Sequence, residues 1–210
     1  DNYLDDVLAH TKVWESHLHS LKAFFDRVSK ANLALRPSKC VVGEFDVTFL
    51  GFRIGEGMLK PRAETVSRIL DAPRPTTKKQ VRAFVGLISF YRNFVPNFAA
   101  LASPLTDLTK KGAKTDIEWD EPQEKAFFAL KMCIANPPVL KLPDVNKTFI
   151  LQTDASNVGI GAIMLQEGED GIKHPVAFAS RKLLPREINY STIEKECLAI
   201  VWAIGKNSNS

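Results

Sequence analysis

The sequence predicts an α+β fold in three parts, on three observations. Apolar residues recur at helical spacing through most of the chain before Asn136; they alternate at strand spacing near Val47 to Ile54 and again from Thr148 to Ser180; and proline breaks fall at Pro73-Arg74-Pro75 and Asn136-Pro137-Pro138. These breaks divide the chain into 1–75, a mixed part, 76–140, mainly helical, and 141–210, strands closed by a helix. With 210 residues, 45% of them hydrophobic, there is enough apolar material for a core of its own.

The first part opens on Tyr3-Leu4-Asp5-Asp6, which suits a tight turn between two short strands, the second running into Val7 and Leu8. Such a pair serves either as a solvated turn, since aspartate bonds local backbone, or as oxygen ligands to a divalent ion. Trp14, Leu18, Leu21, Phe25 and Val28 predict an amphipathic helix over 14–31. His10, His17 and His19 lie around it with no acid or cysteine to complete a metal set. Leu33 to Pro37 reads as extended, because Pro37 biases Arg36 away from the helical region, and Lys39 to Val42 as a sheet edge. The run Val47 to Ile54, the turn Gly55-Glu56-Gly57 and Met58 to Lys60 read as a β-hairpin, and Ala63 to Leu70 as a short helix.

In the second part Thr77-Lys78-Lys79-Gln80 is a capping box opening a long helix that Pro96 ends. Val81, Phe84, Val85, Ile88, Tyr91 and Val95 form its inner stripe, and Lys79, Arg82, Gly86, Phe90 and Asn93 its other side. A mid-helix glycine costs about 1 kcal/mol against alanine. Gly86 therefore serves a close approach, either of another helix or of a backbone from outside the chain. Between Lys60 and Arg82 seven basic residues stand against two acids, which suits a phosphate backbone; a solvated helix face is the plainer reading. A further helix is expected over Leu101 to Lys110, then a Lys-Gly-Ala-Lys loop, then a helix from Glu124 to Cys133 with Trp119 as its apolar anchor.

The third part reads as three strands, Phe149 to Thr153, Gly159 to Gln166 and His174 to Ser180, then a helix from Ser191 to Ile204 stopped by the polar tail from Gly205. Net charge is +4, with Cys40, Cys133 and Cys197 far apart, so they read as reduced packing residues. No apolar run approaches the roughly 18–20 residues of a membrane span, and no signal-peptide pattern opens the chain. A soluble, intracellular protein, in a cytoplasmic particle or the nucleus and without a membrane partner, is expected.

Tyr3-Leu4-Asp5-Asp6-Val7-Leu8, Phe49-Leu50-Gly51-Phe52, the 81–98 stretch, Thr153-Asp154-Ala155-Ser156 and Tyr190-Ser191-Thr192-Ile193-Glu194-Lys195-Glu196 together resemble the reverse transcriptases of gypsy-type long-terminal-repeat retrotransposons. The resemblance covers nearly the whole chain. It implies part of a polymerase palm with a primer-grip hairpin, a mainly helical thumb or connection, and the first strands and helix of a ribonuclease H-like α/β domain. It implies Mg²⁺ at Asp5 and Asp6 for RNA-directed DNA synthesis, and at Asp154 and Glu196 for cleavage of RNA in RNA–DNA hybrids. Phe49, Leu50, Gly51 and Phe52 would then hold the primer end. Lys78, Lys79, Arg82, Gly86 and Phe90 would line the template–primer duplex, with dNTP a partner of the intact parent.

The resembled pattern departs at both ends: the fingers and first palm aspartate are not seen, nor any nuclease ligand after Glu196. Two carboxylates bind Mg²⁺ poorly, because the ion demands near-octahedral oxygen coordination. The alternative is therefore a non-catalytic nucleic-acid-binding module or remnant, and the chain by itself is expected not to turn over.

Overall fold

The computed structural model describes residues 2–11, 13–110 and 117–207. Its internal contacts divide the chain between Glu56 and Gly57 into two compact units. The proline linker at 73–75, expected as a boundary, lies inside the second unit, because the helices on either side of it share one core. The Lys111–Lys114 loop lies outside the described residues.

In the first unit β1 (Asn2–Tyr3) and β2 (Asp6–Val7) pair antiparallel with Tyr3 opposite Asp6, leaving Leu4-Asp5 as the turn. Helix α1 (Trp14–Lys30) has no buried residue, and its half-buried line is His17, Leu21, Phe24 and Val28. The expected stripe through Trp14, Leu18 and Phe25 is thus displaced around the helix: those three are exposed, and Trp14 stacks on His17 with ring centroids 5.7 Å apart. No sheet edge forms at Lys39 to Val42. Pro37–Lys39 is instead a 3₁₀ turn, closed by Cys40 N–H donating to Pro37 O at 3.0 Å, with Pro37 supplying a helical φ at its start.

The run Val47 to Ile54, expected as one strand, folds back on itself. Strands β3 (Asp46–Phe49) and β4 (Phe52–Gly55) pair with Phe49 opposite Phe52, so Leu50-Gly51 is a two-residue turn. Leu50 has φ 49° and Gly51 φ 81°, and a turn with positive φ at both positions matches strand twist; glycine adopts it without a Cβ penalty. Arg53 Nε donates to Asp46 at 2.8 Å across the same hairpin.

In the second unit β5 (Met58–Pro61) pairs with β6 (Leu140–Lys141). Helix α2 spans Ala63–Leu70 and α3 Lys78–Ser89, the latter opened by a reciprocal capping box: Gln80 N–H donates to Thr77 Oγ1 at 3.3 Å and Thr77 N–H to Gln80 Oε1 at 3.2 Å. Helix α3 stops at Ser89, well short of Pro96, and a 3₁₀ turn (Arg92–Phe94) follows. That turn carries Phe94, with its neighbours Tyr91 and Val95, into the core, which a continued helix would not. The helix expected over 101–110 is two short ones, α4 (Phe98–Leu101) and α5 (Ser103–Asp107), and α6 (Glu121–Ala135) begins three residues earlier than expected. Phe84 and Phe127 meet with centroids 4.5 Å apart at the centre of a core that also holds Ile69, Ile88, Leu105, Leu130 and Ile134. Trp119 anchors α6 edge-on to Phe127, and it also donates Nε1–H to Glu124.

Strands β7 (Phe149–Ala155), β8 (Gly159–Glu167) and β9 (Lys173–Lys182) form an antiparallel meander. Helix α7 (Thr192–Asn207) passes through Gly205 instead of ending at Ile204, and packs Ala199, Leu198 and Trp202 on Ala155, Ile160 and Leu183. Buried Gln166 ties the loop before β7 to β8, donating to Asp144 O at 2.8 Å and accepting Asp144 N–H at 2.9 Å. Cys40, just after the 3₁₀ turn, and Cys197, on the outward side of α7, are exposed, not packing residues; Cys133 is half-buried, and burial pushes its thiol pKa up. Among the described residues no helix is long and apolar enough to cross a membrane.

Lys131 is buried in α6 with its ammonium donating to Leu70 O at 2.8 Å and to Ala72 O, closing the C-terminal end of α2. Lys131→Met keeps the stem and strips the donor from those carbonyls. It is expected to destabilise the chain by about 1–3 kcal/mol in denaturant melts.

Candidate functional site

Asp5 lies in the β1–β2 turn and Asp6 at the start of β2, both exposed. Phe49 and Phe52 are half-buried on either side of the Leu50-Gly51 turn, with Leu50 exposed. The sequence motif therefore sits at the tip of a two-stranded hairpin, and Gly51 is accounted for by its backbone conformation.

On α3 the residues proposed to line a duplex do form one outward face. Lys79, Arg82, Gly86 and Phe90 are exposed and Lys78 is half-buried. Arg82 Nη2 donates to Thr109 O at 3.2 Å, which ties one edge of its guanidinium to the segment after α5 and leaves the rest of the group exposed. Phe90 stands edge-on to Tyr91 at 5.0 Å and remains 55% exposed. Among the described residues a Cβ built on Gly86 meets nothing within 4 Å, so no described helix packs closely on this glycine, one of its two readings.

Asp154 lies on β7 directly opposite Gly161 of β8, which in turn lies opposite Ser180 of β9. Cross-strand partners point to one face of a sheet, so the three share a row, and that row alternates with the one bearing Ala155 and Ile160 against α7. The Asp154 row faces the helices before the sheet: Arg92 Nη2 donates to Ser180 O at 2.6 Å, and Ser180 Oγ accepts Ala99 N–H at 2.9 Å. A pocket of about 110 Å³ opens there, lined by Asp154, Ser156, Gly159, Ser180, Asn97 and Ala100, and also by Ile160 of the alternate row. Glu196, half-buried on α7, does not line it. Sequence reasoning missed Asn97 and Ser180 because neither type carries a chemical signature; only strand register and the fold of the 90–107 segment bring them to Asp154.

Among the described residues no three of His, Cys, Asp or Glu gather as a metal-binding group. The acids at Asp5 and Asp6, and at Asp154 and Glu196, thus do not by themselves fit the oxygen set that Mg²⁺ requires.

Residues 119–209 match the family described as the RNase H-like domain found in reverse transcriptase. The chain is 43% identical over 201 residues to the retrovirus-related Pol polyprotein from transposon 297 of Drosophila melanogaster, and 34% identical over 202 residues to the transposon Tf2-3 polyprotein of Schizosaccharomyces pombe. Each match covers 96% of this chain, which spans 18% and 15% of the length of those relatives. In structure it is similar to a foamy viral protease-reverse transcriptase dRH solved with double-stranded DNA (TM-score 0.84, 24% identity, 95% of this chain and 35% of that one). It is likewise similar to a foamy viral protease-reverse transcriptase solved with an RNA/DNA hybrid (TM-score 0.81, 25% identity, 94% and 26%). The chain is therefore a mixed helix-and-sheet protein with an RNase H-like domain of the reverse transcriptase kind. Over nearly its whole length it is similar to a part of retrotransposon Pol polyproteins, and over 119–209 to the RNase H-like domain of reverse transcriptase.

At the end of β9, Arg181 pairs with buried Glu187 through Nη1 at 2.6 Å and Nη2 at 3.1 Å, and Leu184 N–H donates to the same carboxylate at 2.8 Å. The Arg181 hydrogen bonds, above all, hold the Glu187 pKa below the usual carboxylate value. A depressed folded-state pKa contributes stability that is complete above the ordinary glutamate value, about 4.3, and is lost as pH falls through the depressed one. Glu187→Gln should therefore flatten the acid side of the stability–pH curve, as read from melting temperatures between about pH 6 and pH 3.

Proposed function

We propose that this chain binds a nucleic-acid duplex along the outer face of α3, as the duplex-holding part of a reverse transcriptase/ribonuclease H in a Pol polyprotein. The observation that carries the reading is Gly86, an exposed mid-helix glycine with open space above it, set between Arg82 and Phe90. A glycine that costs helix stability and relieves no clash among the described residues leaves room for something from outside. Lys79 and Arg82, with Lys78 at the helix entrance, neutralise phosphates; Gly86 admits the sugar-phosphate wall; Phe90 rests on a sugar or base edge. The complexes of the foamy viral proteins with double-stranded DNA and with RNA/DNA hybrid support a duplex as the ligand.

The remaining roles extend this reading. The Phe49–Phe52 turn holds a primer end near Asp5 and Asp6, and Asp154 with Glu196 serves the RNA strand, with dNTP the polymerase substrate and an intracellular setting. Bound Mg²⁺ would supply activation of a hydroxyl or water and neutralise phosphoryl charge. Because the described donors do not complete a Mg²⁺ site, these four acids act only in company with further ligands. The same observation favours a second reading, in which the chain holds duplex without catalysing nucleotidyl transfer or endonucleolytic cleavage.

Every phosphate that the protein ceases to neutralise should lower the salt slope of binding by about one, since fewer counterions are released. Lys79→Glu with Arg82→Glu is expected to weaken hybrid binding and reduce the slope of log K against log salt by about two; an unchanged slope in filter-binding titrations would remove α3 as the interface.

Gly86→Ala separates the two sides of the argument. It should raise stability by about 1 kcal/mol, because alanine is the better helix former and its Cβ meets nothing, while weakening duplex affinity. A gain in stability with affinity unchanged would show that nothing approaches this glycine.

A further inference from the structure

The pocket beside Asp154 has a wall that does not come from the RNase H-like sheet. Asn97, just before α4, holds φ 50° and ψ 34°, a left-handed conformation in which its carboxamide lies over the middle strand. A Cβ on Gly161 would collide with Asn97 Oδ1, so the missing side chain at 161 is what lets the amide reach between Asp154 on one strand and Ser180 on the other. The placement is held from both sides. Ala99 N–H on Ser180 Oγ and Arg92 on Ser180 O fix the segment around Asn97, and Lys182 Nζ grips Thr106 Oγ1 at 2.7 Å and Asp107 at 2.8 Å further along. No side-chain bond caps α4 from Asn97, so its amide is not spent on the helix.

We propose that Asn97 is a specificity-determining residue of the Asp154 site, its carboxamide contacting the ribose 2′-hydroxyl of an RNA strand that passes this pocket. The inference rests on the duplex-binding reading and names which strand the pocket selects. A carboxamide offers both a donor and an acceptor, and a 2′-hydroxyl is both, whereas deoxyribose has neither. The pocket is small and partly open, about 110 Å³ accessible to water-sized groups, which suits a sugar edge reaching in from a strand outside it. On β8 it is lined by Gly159 and Ile160, so a strand lying there meets the sheet, the Asn97 amide and the Asp154 carboxylate together.

A plainer role for Asn97 is only to adopt the left-handed backbone, which asparagine tolerates better than most residues. The pair Asn97→Gly and Asn97→Ala tells these apart, because glycine keeps the backbone and drops the amide, whereas alanine drops the amide and strains the backbone. Affinities of the 210-residue chain are measured for an RNA–DNA hybrid and for a DNA duplex of the same sequence, beside melting temperatures. The expected result is that Asn97→Gly melts like the parent and loses about three- to ten-fold in hybrid affinity, the worth of one hydrogen bond, with DNA-duplex affinity unchanged. Asn97→Ala should show the same loss of preference together with a lower melting temperature. Unchanged hybrid preference in Asn97→Gly, or an equal loss on both duplexes, would overturn the assignment and leave the α3 interface standing. Failure of the parent chain to bind either duplex would overturn the α3 reading and this one with it.

Discussion

The second unit depends on how one strand, β9, is held by the helices that precede the sheet. Ser180 is bonded at both its hydroxyl and its carbonyl, the first by Ala99 N–H and the second by the Arg92 guanidinium, and Lys182 reaches Asp107 two residues on. Bonds to charged donors in a partly buried place are worth more than neutral ones, and each would leave a costly unpaired group if broken. Their effect is to cover the second face of the three-stranded meander over β9, while Gln152, Asp154 and Ser156 at its β7 side stay exposed. The row Asp154, Gly161 and Ser180 is thereby given walls, and the candidate acid lies in a pocket instead of on a flat sheet.

A second set of bonds does the same for the helices. Lys131 satisfies two carbonyls at the end of α2, and Arg74 stacks over Trp119 at 5.1 Å while donating to Trp119 O at 3.2 Å. These contacts span the proline linker, which explains why 73–75 joins parts of one unit. They also leave α3 with one face fully committed to the Phe84–Phe127 core and the other turned outward. A helix so divided presents Lys79, Arg82 and Phe90 on its outward side with a gap at Gly86.

Much of this was legible from local chemistry. The capping box at Thr77–Gln80, the bounds of α2, the three strands from Phe149 and the hairpin turn at Asp5 are all set by interactions within a few residues, so spacing and residue type suffice to read them. Where the reading failed, a competing effect was non-local or lay in backbone twist. The run 47–54 looked like one strand because Leu50 is apolar, yet a two-residue turn needs only φ > 0 at Leu50 and Gly51. The helix after Thr77 ended early because burying Phe94 and Val95 required a turn that periodicity does not reveal.

The sequence by itself determined the order of the elements, the acidic and basic residues worth attention, and the motifs that place the chain beside the Pol polyproteins, because all of these are properties of residue types at fixed spacing. Tertiary structure decided which residues share a site. Asn97 lies 57 positions before Asp154 in the numbering of the chain and meets the same pocket only because Gly161 has no side chain and Ser180 holds the α4 segment. Glu196, paired with Asp154 by motif, does not line that pocket, since α7 packs on the alternate row of the sheet. The side of the sheet to which a strand residue points follows from pairing register, and register is settled by packing between elements far apart in sequence.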